Sequence, residues 1–122
     1  MTEIPSDDDF ERVSRMMEER FKHLEKVKNK SKKYFSKRCP LYDFYILPQG
    51  DSGFRAYVFF EKEEDKERCK KEGIFEQIEG FVLDKLERYG KGKREDISVA
   101  FEWDSNENVE AKFGGDYFAR LR

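Results

Sequence analysis

The sequence predicts a single α+β domain, a mainly antiparallel sheet with helices packed on one face, and three observations carry this. Two aromatic and β-branched runs, 41–48 and 53–61, flank the turn sequence QGDS. A strict alternation of apolar and polar residues follows near position 100. Between and before these strands lie stretches with apolar residues at helical spacing. At 122 residues the chain suits one hydrophobic core.

The first helix is expected over about 7–36. SDDD after Pro5 supplies Ser6 or an aspartate as cap, and acidic residues favour the positive end of a helix dipole. Phe10, Val13, Met17, Phe21 and Leu24 recur at steps of three and four, with Val27 prolonging the stripe. The helix ends before Pro40. A hairpin is expected over about 41–61. The segment EKEEDKERCKKEG is too polar to bury and reads as a short exposed helix stopping at Gly73. Ile74, Ile78, Phe81, Val82 and Leu86 then resume a helical pattern up to Gly90, placing helices over about 63–89.

Ile97, Val99, Phe101 and Trp103 alternate with polar neighbours, which marks a half-buried strand over about 96–104. The tail suggests a helical turn capped by Ser105 or Asn106, a break at Gly114 and Gly115, and an extended piece from Tyr117 to Leu121.

Composition narrows the function. Charged residues make up 43% of the chain, yet twelve Phe and six Tyr suffice for a core. With 25 basic and 27 acidic residues the net charge is −2, which argues against nucleic acid as the partner. The acidic N-terminus and the lack of any apolar run near the about 18 residues needed to span a bilayer predict a cytoplasmic protein without a membrane partner.

No catalytic, cofactor or metal residue is predicted. His23 is the single histidine and has no HxxxH or HExxH partner. Phosphate-binding and nucleophile-elbow motifs are missing. Cys39 and Cys69 read as reduced thiols; one of them as a nucleophile is the enzyme reading that stays open, and alkylation rates would test it. Glu102 and Asp104 share one side of a strand, but such pairs arise by chance in so acidic a chain.

If Phe44, Ile46, Val58, Phe60, Phe101 and Trp103 face the helices, alternation sends Asp43, Tyr45, Arg55, Tyr57, Phe59, Glu102 and Asp104 to the other side. Aromatics among carboxylates suit a protein interface. The alternative is that the tail folds back over this face, or that the sheet is buried on both sides. An acidic C-terminal region would also steer a basic partner towards it. The residues expected to bind a partner are therefore Tyr45, Tyr57, Phe59, Glu102, Asp104, Glu107 and Glu110.

The run ISVAFEWDSNENVEAKFGGDYFARLR, with YVFFEKEEDKE and GIFEQIEGFVLDKLERYG before it, resembles bacterial immunity proteins of polymorphic toxin and contact-dependent growth inhibition systems. That resemblance implies a cytoplasmic protein that binds the C-terminal toxin domain of a large secreted protein, often a nuclease, and blocks its active site or substrate entry. The competing reading is a nucleic-acid-binding accessory protein using the Lys-rich segment 22–38, where Tyr34 and Phe35 would stack on bases.

Overall fold

The computed structural model describes residues 7–50 and 52–122. Helix α1 spans Asp7–Phe21 and α2 spans Leu24–Phe35. The proposed cap Ser6, the side chains of residues 7–10 and Asp51 of the turn lie outside the described residues.

The single helix expected over 7–36 is therefore two. His23 adopts a left-handed backbone (φ 69°), which ends α1 and starts α2. Glycine usually takes this position, so the sequence gives no signal of a break. Its imidazole stacks on Tyr89 with ring centroids 5.1 Å apart. The break divides the apolar stripe. Leu24 and Val27 are buried, whereas Val13, Met17 and Phe21 are 56%, 49% and 46% exposed. Polar bonds hold the end of α1 instead: Arg20 donates to the Gly50 and Gly53 carbonyls, and Lys91 donates to the Glu19 carbonyl. Partial burial and the positive charges of Lys26, Lys22 and Lys91 hold the His23 imidazole below its ordinary pKa. An NMR titration is expected to give His23 a midpoint under 6.5, and a midpoint above it would mean that the lysines do not surround the ring as described.

Strands β1 (Leu41–Gln49) and β2 (Gly53–Phe60) form the antiparallel hairpin, with Tyr45 opposite Tyr57. Helices α3 (Glu63–Lys71) and α4 (Ile74–Arg88) follow, then a 3-10 turn at Arg94–Asp96 and strand β3 (Val99–Ser105). A long helical crossover lets β3 return in the direction of β2, so this pair is parallel, with Tyr57 beside Glu102 and Phe59 beside Asp104. The order is β1-β2-β3, a mixed sheet in which β1 runs opposite to both other strands.

The main helical layer packs on one face, as alternation predicts. Phe44, Ile46, Val58 and Phe60 join Val27, Phe35, Ile78, Val82 and Leu86 in the principal core, with Phe101 and Trp103 half-buried at its edge. Trp103 lies flat on Phe75, centroids 3.9 Å apart. Only Cys69 of α3 is buried, which fits its polar sequence.

The tail settles the open question about the second face. Helix α5 (Asn106–Phe113) begins at the Ser105 cap, whose hydroxyl accepts from the Asn108 amide at 3.0 Å, and ends at Gly114. The stretch expected to be extended is a helical turn, α6 (Tyr117–Arg120), because the Asp116 carboxylate accepts from the Ala119 amide. Val109, Tyr117 and Leu121 then pack on Tyr57 and Phe59. β2 is consequently buried on both faces.

Candidate functional site

The seven residues expected to bind a partner do lie on or beyond the predicted sheet face, but the tail occupies its centre. Tyr57, Phe59 and Asp104 are buried, so these three belong to the protein's own packing and not to a docking surface. Tyr45 and Glu102 are half-buried, while Glu107 and Glu110 on α5 are exposed.

Arg120 does internally what a basic partner was expected to do. Its Nε donates to Asp104 Oδ2 at 2.5 Å, and its guanidinium sits over Tyr57 and Phe59 at 5.8 and 5.9 Å. Asp104 also accepts from the Ser105 amide and from Asn108 Nδ2, both at 2.8 Å. Burial alone would raise the Asp104 carboxyl; the bonds from Arg120, Ser105 and Asn108 outweigh it and hold the group below its ordinary value. Glu102 pairs with Arg55 at 3.0 Å. At the other edge of the face Asp43 accepts from the Tyr45 hydroxyl at 2.7 Å and is flanked by Lys28 and Lys32, each 3.4 Å away. The carboxylates of this face are thus neutralised from within.

What the cap presents outward was not read from the sequence. Phe118 is 78% exposed and Phe113 lies at the end of α5 at 36%. Tyr42, stacked on Tyr117 with centroids 5.9 Å apart, adds a third exposed ring. The same C-terminal segment exposes the carboxylates Glu107, Glu110 and Asp116 and the cations Lys112 and Arg122. The Glu110 carboxylate lies over the Gly115 turn, where a Cβ would come within 3.1 Å of it. Helical spacing in DYFARLR was the available signal: Tyr117, Arg120 and Leu121 turn inward, which leaves Phe118 outside.

On the opposite side of the molecule, α2 and α4 border a cleft of about 620 Å³ lined by Lys30, Lys33, Lys37, Arg38 and Lys85 with Tyr34 and Phe81. Tyr34 stacks on Phe81 at 4.6 Å. Arg38 lies over the Tyr34 ring at 4.8 Å and Lys85 over the Phe81 ring at 5.2 Å. Phe35, proposed to stack on bases, is buried in the principal core and cannot do so.

Neither cysteine is placed for nucleophilic work. Both are buried, and burial pushes Cys39 up to about 12 and Cys69 in the same direction, away from the thiolate that such chemistry requires. Among the described residues no three His, Cys, Asp or Glu side chains converge to hold a metal ion. No described helix is long and apolar enough to cross a membrane. Comparison of the chain with protein-family models, with curated proteins and with solved structures gives no match.

Proposed function

We propose that the chain is an immunity-type binding protein, which neutralises a basic toxin domain by docking it on the outer surface of the C-terminal cap. The observation that carries this reading is Phe118, a large aromatic side chain left 78% exposed on a cap that also exposes three carboxylates. Aromatic anchors supply most of the contact energy in protein interfaces, and charged rims steer the partner and fix its orientation. Glu107, Glu110 and Asp116 outnumber the exposed Lys112 and Arg122 of the same segment, so the complementary partner is cationic, as nuclease domains are where they grip phosphates. A partner held there would be inhibited by occlusion of its active site or substrate entry. This reading puts the protein in the cytoplasm of its producing cell.

The test is capture from the producing strain at moderate salt, with mass spectrometry of the bound material and a toxicity assay of the captured domain. Wild-type chain is expected to hold one stoichiometric protein with a basic terminal domain and to protect cells that express that domain. Phe118→Ala and the pair Glu107→Lys/Glu110→Lys are each expected to weaken binding by about tenfold or more, equivalent to the 1–2 kcal/mol typical of an interface anchor. Unchanged binding and unchanged salt dependence in both variants would refute this placement.

A further inference from the structure

We propose that the cleft between α2 and α4 binds a single strand of nucleic acid, holding phosphates on its lysines and a base against Arg38. Lys30, Lys33 and Lys37 recur at steps of three and four, so they share one side of α2 and its C-terminal extension. Lys85 faces them from α4. None of these four lysines forms an ion pair with a carboxylate among the described residues. Lys28 and Lys32, on the neighbouring side of the same helix, are both spent on Asp43. The helix therefore neutralises Lys28 and Lys32 on Asp43 and directs Lys30 and Lys33 to the cleft.

The rings decide the class of anion. Tyr34 and Phe81 are stacked on each other, with Arg38 at one end and Lys85 at the other. The series ends in the exposed guanidinium of Arg38, held further by its bond to Gln77 Oε1 at 3.1 Å. A guanidinium carried on an aromatic ring offers a flat face on which an unpaired base stacks, and the nearby cations follow the backbone. An acidic membrane presents a charged plane with no base to stack, whereas these cations flank a pair of stacked rings. Glu76 and Asp84 line the neighbouring hollow beyond the Tyr34 and Phe81 ridge, which Arg38 also borders, and Asp84 is paired with Arg94.

This site is independent of the cap and adds to the binding reading without resting on it. The experiment uses the full chain and a fluorescein-labelled 20-nucleotide oligodeoxythymidine, read by anisotropy. Contact with three to five phosphates is expected to weaken binding about 20- to 130-fold between 50 and 200 mM salt. Lys33→Glu/Lys37→Glu is expected to lower affinity about tenfold or more, whereas Lys70→Glu/Lys71→Glu, the same charge change on exposed α3 positions, changes it less than about threefold. Arg38→Lys keeps the charge and loses the flat face, and is expected to weaken the strand about threefold or more. Glu107→Lys/Glu110→Lys leaves the oligonucleotide bound, which separates this site from the cap. Absence of binding at 50 mM salt, an equal loss in the α3 control, or equal displacement by polyglutamate of matched charge would overturn the proposal.

Discussion

Replacing Arg120 with alanine is expected to destabilise the protein by about 3–5 kcal/mol at neutral pH, the usual effect of stranding one partner of a buried ion pair. Asp104 is 5% exposed, and its carboxylate rests on the 2.5 Å bond from Arg120 as well as on Ser105 and Asn108. Without the guanidinium, a buried negative charge faces Tyr57 and Phe59 with only neutral donors left. The direction with pH follows from the same bonds. In the wild type the folded Asp104 pKa is depressed, so its contribution is present above the unfolded value near 3.9 and is lost as pH falls through it towards the folded one. In Arg120→Ala the carboxyl keeps its burial and loses the bond and charge of Arg120, so it titrates higher than in the wild type and protonation relieves the variant. The stability gap between the two proteins should therefore narrow as pH drops from 7 towards about 3.5. Urea denaturation at both pH values measures it, and a gap that stays constant would place the lost energy in packing of the arginine stem instead.

The sheet and its two faces were legible because period-two alternation fixes which side chains point together. Phe44, Ile46, Val58 and Phe60 lie on the main helical layer, and Tyr45, Tyr57 and Phe59 lie opposite, as the pattern requires. The break at His23 was not legible, since neither glycine nor proline marks it and the apolar spacing runs on unperturbed from Met17 to Val27. What determines it is tertiary: the stack on Tyr89 and the grip of Arg20 and Lys91 on the hairpin turn and α1. The burial of Tyr57, Phe59 and Asp104 was hidden for a similar reason. Alternation showed where Tyr57, Phe59 and Asp104 point, but burial depends on what covers them, and Arg120 comes from a tail whose helical turn hangs on one Asp116 cap. Glu107 and Glu110 kept their exposure because α5 packs through Val109 alone among its fully buried side chains.

Phe59→Ala is expected to cost about 3–5 kcal/mol, the range for emptying a fully buried aromatic position. Phe59 is completely buried, meets the Tyr117 ring edge-on at 4.9 Å and the Tyr45 ring at 6.0 Å, and carries the Arg120 guanidinium above it. Its principal cover is thus the C-terminal cap, so the cost should depend on whether Tyr117 is present. A double-mutant cycle with Tyr117→Ala is expected to give a coupling of about 1 kcal/mol, because either truncation removes the same ring contact. The prediction also bears on binding. If Phe59 is sealed under the cap, Phe59→Ala weakens capture of a partner only as far as it unfolds the cap, whereas Phe118→Ala weakens capture and leaves stability nearly unchanged. A Phe59→Ala protein that stays within about 1 kcal/mol of wild type while losing its partner would mean that the cap lifts on binding and that the aromatic sheet face beneath it is the true docking surface.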